Sequence, residues 1–177
     1  MPWIHSIDED RAEGAMADFY ADLRMRRGSP TPILAIQGLN PEALRKHLDL
    51  YLHLMFVPGG LPRDERELIA VVVSAANGCA YCVSEHMERL RHYVDDVDEL
   101  ATIVDQPEQI ADERQRAIAA YARKLTLAPA SMRATDVESL RERGLGDPEI
   151  LHVNLISAYF NFVNRIAQGL GVGQEEA

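Results

Sequence analysis

"ERELIAVVVSAANGCAYCVSEHMERL", residues 65–90, decides the fold. After Glu67 its first half is apolar on nearly every side, as far as Ala76. The β-branched run Val71–Val73 would suit a buried strand, but it lies inside a stretch of helical length. Asn77–Gly78 is a helix-stop pair. Beyond it "CAYCVSEHMERLRHY" resumes with helical spacing. The stretch therefore predicts two helices, about 64–76 and 79–92, bent against each other at Asn77–Gly78.

The flanks carry the same punctuation. "SIDE" at 6–9 has the form of a capping box, Ser6 with Glu9, opening a helix to about Met25 before "RRGSPTP". Thr31–Pro32 and Asn40–Pro41 each place a cap residue before a proline suited to the first helical position. The second pair starts an amphipathic helix through "EALRKHLDLYLHLMF", and "VPGGLP" at 57–62 breaks it. "VDELATIV" is a short helix and "DERQRAIAAYARKLTL" a longer amphipathic one. Thr135 with Glu138 forms a second capping box, and Gly144 ends that helix. Asp147–Pro148 opens a last long helix to about Gln168. No segment alternates as a half-buried strand would. The expectation is an all-α helical bundle in one domain, 1–177. Its parts are N-terminal helices (1–60), a helical hairpin with a CxxC at a helix N-terminus (61–93) and C-terminal helices (94–177).

Bulk properties exclude several classes. A net charge of −10 argues against nucleic acid and anionic membranes, which need concentrated Lys and Arg. The longest near-apolar run, 68–76, is far too short to span a bilayer. The first residues show no basic region followed by an apolar core, so a cytoplasmic location is expected. In that compartment a CxxC pair is more often redox-active or metal-binding than a permanent brace.

Both cysteines of the chain lie in this one turn. On a helix, Cys79, Cys82 and His86 share a face, because neighbours three, four and seven apart do. Val83, Leu90 and Tyr93 complete that stripe. Three features suit thiol chemistry. Unpaired N–H groups and the helix dipole at the start of the helix favour thiolate. His86 stands one turn from Cys82 and can relay its proton. Two thiols three apart can close a disulfide, so one can attack and the other resolve. Position at the helix start favours Cys79 as the attacker; the neighbouring His86 favours Cys82. If the hairpin forms, Glu67 and His86 both lie roughly 13–15 Å from the bend, at ~1.5 Å per residue. A carboxylate there would orient the imidazole and raise its basicity.

Glu67, then CxxC twelve residues on, then His86 after three more, resembles the alkylhydroperoxidase-D-like (carboxymuconolactone decarboxylase-like) family. "MPWI" at the start and "YFNFVNRIAQGLGV" at 159–172 are similar to its peroxidase-related branch. The resemblance implies an all-helical homo-oligomer, trimer or hexamer, that reduces hydroperoxides. It implies Cys82 as the thiolate that becomes sulfenic acid, with Cys79 as proton donor and resolving thiol. Glu67 and His86 would form the relay, and Tyr81 matches the family's Cys-x-Tyr-Cys form, although a helical wheel sets its ring off the thiol face. An external dithiol or protein reductant would regenerate the pair. The proposed chemistry needs no metal and no organic cofactor.

Other readings compete. A redox adaptor would pass electrons between proteins through Cys79–Cys82. A decarboxylase, as elsewhere in the superfamily, would not need the CxxC. Structural zinc would need four ligands, for which only Cys79, Cys82, His86 and Glu67 are at hand. A purely structural disulfide would close too small a loop to stabilise much. His53 reads as a core or edge residue, His47 and His92 as surface residues, His5 as part of a mobile terminus and His152 as an interface candidate. "RDERE" at 63–67 reads as a mostly solvated first turn, with Glu65 the rival of Glu67. The last helix, apolar on more than one side and seamed by Asn154, Asn161 and Asn164, is expected at a subunit interface.

Overall fold

Breaker residues set the helix ends, and the computed structural model, which describes residues 2–26 and 30–174, follows them closely. The order is α1 (Ala15–Arg26), α2 (Pro32–Ala35), α3 (Pro41–Phe56), α4 (Arg63–Ala76), α5 (Ala80–Leu90), α6 (Val97–Asp105), α7 (Glu113–Leu127), α8 (Ala134–Arg141) and α9 (Asp147–Gly169). Three short 3-10 turns intervene. The described residues contain no strand, so the chain is all-α. Arg27, Gly28 and Ser29, in the expected break after α1, lie outside the described residues.

The chain divides into two compact units, Met1–His53 with Arg165–Ala177, and Leu54–Asn164. In the first, Phe19, Tyr20, Leu23, Leu44 and Leu48 are buried. The Trp3 N–H donates to Leu170 O at 2.9 Å. Asn40 caps α3 as expected, its Oδ1 accepting from the Ala43 N–H at 3.1 Å. Two expectations fail here. Glu9 makes no capping box with Ser6. Its carboxylate is taken by Arg24, residues 9–11 form a 3-10 turn, and α1 starts only after Gly14. His47 is buried rather than on the surface, with Nδ1 2.8 Å from Gln37 Oε1.

The second unit is built on α4, which packs against α5, α6 and α7. Every residue from Glu65 to Ser74 is buried, as suits a helix apolar on all sides. The expectation of a solvated "RDERE" turn is wrong, because its charges meet partners. Glu65 accepts from Arg114, at 2.6 and 3.2 Å, and Arg114 also reaches Glu149 at 3.1 Å. Arg66 donates to four carbonyls of the break after α3: Leu54, Val57, Gly59 and Leu61. These include acceptors that a helix end leaves unsatisfied. His152 braces the same break. Its Nδ1 accepts from the Leu61 N–H at 3.3 Å and its Nε2 donates to Leu54 O at 2.8 Å. This histidine therefore serves the fold from within the subunit.

At α8 the cap lies two residues earlier than expected. Asp136 accepts from the Arg133 N–H at 2.7 Å and also holds Lys124, so α8 begins at Ala134. His53, His92 and His5 are exposed. No described helix is long and apolar enough to cross a membrane.

Candidate active site

The bend at Asn77–Gly78 brings the site together. Asn77 ends α4, and Gly78 takes φ +65°, a left-handed conformation natural only to glycine. The Cys79 N–H then turns back to Ser74 O at 2.9 Å. Cys79 is the N-cap of α5 and Cys82 lies in its first turn. The two Sγ atoms are 2.7 Å apart, both as free thiols. Cys79 is 3% exposed and Cys82 4%, so solvent barely reaches either sulfur.

The hairpin also sets Glu67 level with His86. Glu67 is fully buried, and its Oε2 lies 2.6 Å from His86 Nδ1. Arg63, one turn back on α4, donates to Glu67 Oε1 at 2.5 Å. The carboxylate thus holds the Nδ1 proton and leaves Nε2 as the basic nitrogen. Phe160 stands edge-on to the imidazole, ring centroids 4.6 Å apart. Glu65 faces Arg114 instead, so Glu67 is the carboxylate beside the imidazole.

The thiols share their protons unequally. A hydrogen bond from the Cys82 thiol holds Cys79 down at about 7, against the opposing effect of burial. Cys82 is pushed far up, because it would have to give up the proton it donates to Cys79, and burial adds to this. The 2.7 Å contact admits the proton on either sulfur. As a pair, the thiols release one proton near neutrality and hold the second.

Tyr81 lies partly buried between the cysteines, about 100° around the helix from Cys82. Leu90 keeps its place on the buried face, but Tyr93 does not. α5 ends at Leu90 and the following turn leaves the Tyr93 ring 51% exposed. Among the described residues no group of three His, Cys, Asp or Glu could hold a metal ion. A cleft of about 790 Å³ adjoins Gly78 and Ala80, on either side of Cys79, and is walled by Val83 and Met87.

Two residues escape the sequence motif. Arg63 could have been found by its i, i+4 spacing to Glu67. Asn164, fully buried on α9, accepts from Asn77 at 2.9 Å and donates to Ser74 Oγ at 3.1 Å, tying α9 to the bend. Its only sequence signal is an amide on an otherwise apolar helix face.

An all-α chain with a CxxC at a helix start and a buried Glu–His pair beside it defines a class, and comparison with known proteins agrees. The Carboxymuconolactone decarboxylase family profile matches residues 41–124. A peroxidase-related protein from Ralstonia eutropha JMP134, described as an alkylhydroperoxidase AhpD core, superposes with a TM-score of 0.86 at 26% identity. That match covers 99% of this chain and 93% of the other. A peroxidase-related protein from Silicibacter sp. TM1040 gives 0.81 at 29%, covering 94% and 89%. The debrominase Bmp8 gives 0.78 at 19%, covering 96% and 90%, a likeness of fold. No curated protein matches. Residues 41–124 match the Carboxymuconolactone decarboxylase family, and nearly the whole chain is similar in fold to alkylhydroperoxidase-D-like, peroxidase-related proteins.

Proposed function

We propose that the protein is a thiol-dependent peroxidase that reduces organic hydroperoxides through the Cys79–Cys82 pair. The observation that carries this is the dithiol at 2.7 Å, one turn from an imidazole held by a buried carboxylate. His86 accepts the first proton of the pair, and the charge rests on Cys79. Passage of the Cys82 proton to Cys79 moves the charge to Cys82. The Cys82 sulfur attacks the terminal oxygen of the hydroperoxide; an S–O bond forms and the O–O bond breaks. The departing alkoxide takes the proton now on Cys79 and leaves as the alcohol. Cys82, oxidised by two electrons to sulfenic acid, is attacked by the Cys79 thiolate. The disulfide forms, and the expelled hydroxide takes the proton held by His86 and leaves as water. An external dithiol or protein reductant restores the thiols by exchange.

The cleft near Cys79 joins apolar Ala80, Val83 and Met87 to polar Ser84, Glu88, Arg91 and Asp105, and its apolar part suits the alkyl group of an organic peroxide. Both sulfurs are buried, so access of the peroxide requires a local opening of the structure. The protein works as a homo-oligomer, trimer or hexamer. Leu151, Leu155 and Phe162 stand 57%, 42% and 49% exposed at heptad spacing on α9, the stripe a second copy would cover. Leu155→Glu is expected to lower the mass found by sedimentation, and an unchanged mass would remove α9 from the interface.

The deciding experiment follows loss of an organic hydroperoxide with dithiothreitol as reductant, and traps sulfenic acid in each Cys→Ser variant. Consumption well above free dithiothreitol is expected, with trapping on Cys82 in Cys79→Ser and none on Cys79 in Cys82→Ser. No consumption and no trapped sulfur would overturn the proposal. Fast disulfide exchange with a protein partner but no peroxide loss would mark an electron carrier instead. The family profile favours one further reading, a decarboxylase, and decarboxylation undiminished in Cys82→Ser would select it.

A further inference from the structure

The buried carboxylate of Glu67 has a partner on each oxygen. Oε2 faces His86 Nδ1 at 2.6 Å, and Oε1 accepts from Arg63 Nη2 at 2.5 Å. The Arg63 guanidinium is itself held on three sides. Besides Glu67, its Nη1 donates to Met55 O in the last turn of α3, an acceptor of the kind a helix end leaves unsatisfied. Its Cζ sits over the Phe56 ring, 4.0 Å from the centroid. The Arg63 side chain is 22% exposed and that of Glu67 0%, so their contact lies largely out of water. Arg63 is also the first residue of α4. A cation there opposes the helix dipole, so its place has no local reason. The reason is the carboxylate one turn on.

We propose that Arg63 is a positioning residue whose charge, acting through Glu67, keeps His86 neutral and so able to accept a proton. A buried charge is stable only when it is paired. A carboxylate left with the imidazole alone would draw a proton onto the ring and hold it there. An imidazole already protonated takes nothing from a thiol. With Arg63 on Oε1, the charge of Glu67 is balanced before His86 takes part. Glu67 then orients the ring through Nδ1 without fixing an imidazolium beside it. His86 can take a proton on Nε2 and return it, as a relay must in each cycle. The other neighbours leave this task to Arg63. On α5, Cys82 lies one turn back, and Glu85 and Arg89 pair with each other at 3.1 Å. From α9 the ring meets Phe160, which carries no charge.

The inference rests on the proposed chemistry only in taking His86 as the base, and its test needs no peroxide. In a Cys79→Ser, Cys82→Ser background, where no thiol can give up a proton, nitrogen NMR of the His86 ring is followed against pH. His86 is expected to be neutral at pH 7, with its proton on Nδ1. Arg63→Gln keeps an amide donor and removes the charge; it is expected to raise the His86 midpoint by about one pH unit or more. Arg63→Lys, which keeps the charge, should leave the midpoint within a few tenths of the parent. Thermal unfolding is measured in parallel. A folded Arg63→Gln that loses stability while the midpoint stays would make Arg63 a brace and overturn the proposal. Equal midpoints for Arg63→Gln and Arg63→Lys overturn it as well. Should Arg63→Gln fail to fold, the parent decides, because an imidazolium at pH 7 with Arg63 in place overturns the proposal by itself. The expected shift together with no hydroperoxide consumption by the unmodified protein would uphold Arg63 and reject the peroxidase.

Discussion

Arg66 and Glu67 are neighbours in sequence, lie on the same helix and are buried to 4% and 0% exposure, yet they serve different ends. Among the described residues Arg66 donates to four main-chain carbonyls, at the end of α3 and in the break before α4. Its partners cannot change protonation, so it is a brace. Glu67 meets Arg63 and His86, and His86 can take and release a proton. Burial of a charge therefore does not by itself mark a functional site. What the charge touches does.

The sharpest way to break this comparison is to remove the brace. Arg66→Met keeps much of the apolar stem and deletes every donor. Each buried carbonyl left unpaired costs about 1–3 kcal/mol, and relaxation of the break toward water recovers part of that. A loss of ~3–5 kcal/mol is expected, seen as a large drop in thermal midpoint. Turnover per folded molecule should change little. An Arg66→Met protein as stable as the parent would mean that the break is held by other contacts, His152 foremost.

Glu67→Gln is the converse. The amide oxygen can still accept from His86 Nδ1, so the fold should lose less than with Arg66→Met. The charge that makes the imidazole more basic is gone. Turnover is expected to fall about 10²-fold, the lower end of what a positioned proton relay contributes. Steady-state peroxide reduction at pH 7 and thermal unfolding measure the two sides. A variant losing stability but not turnover would make Glu67 a brace like its neighbour.

The two cysteines extend the contrast, for they too are neighbours with opposite tendencies. With Cys79 held at about 7, the reduced protein should be alkylated with a midpoint near pH 7. Cys82→Ala removes the thiol that holds Cys79 down, so the midpoint should rise toward the ordinary value of ~8.5. The sign follows from the hydrogen bond: losing its donor makes the thiolate less favourable. A midpoint that stayed near 7 in Cys82→Ala would pass credit from the Cys82 thiol to the helix N-terminus.

Much of this was legible in the sequence because it is local. Prolines, glycines and the Asn77–Gly78 stop mark helix ends through short-range sterics. The spacing of Glu67, Cys79, Cys82 and His86 survives as geometry because the hairpin turns within two residues. The rest depends on contacts between distant parts of the chain. Nothing near Ser6 announces that Arg24 takes Glu9, and the partner of Glu65 lies forty-nine residues away. "RDERE" looked solvated because charge in a first helical turn usually is, and only the carbonyls of the preceding break and Arg114 overrule that. Nothing near His152 or Asn164 announces their partners at Leu61 and Ser74, each about ninety residues back in the chain.

The smallest expected effect concerns the bend itself. Gly78 has φ +65°, and an added Cβ would meet no atom within 4 Å. Gly78→Ala therefore tests backbone strain without a clash. A left-handed alanine costs about 1–2 kcal/mol, while restricting the unfolded chain returns ~0.4–1 kcal/mol. A net loss of roughly 1 kcal/mol is expected, a few degrees in thermal midpoint for a chain of this size. The site should register the change more than the fold does, because Cys79 follows Gly78 and its N–H closes back on Ser74. If the chain relieves the strain by rotating at the bend, Cys79 shifts against Cys82 and the alkylation midpoint of Cys79 rises. If the midpoint stays while stability falls, the cap of α5 is anchored by the Ser74 contact alone. A variant with neither change would show that the bend is not under the steric control that brings Glu67 to His86.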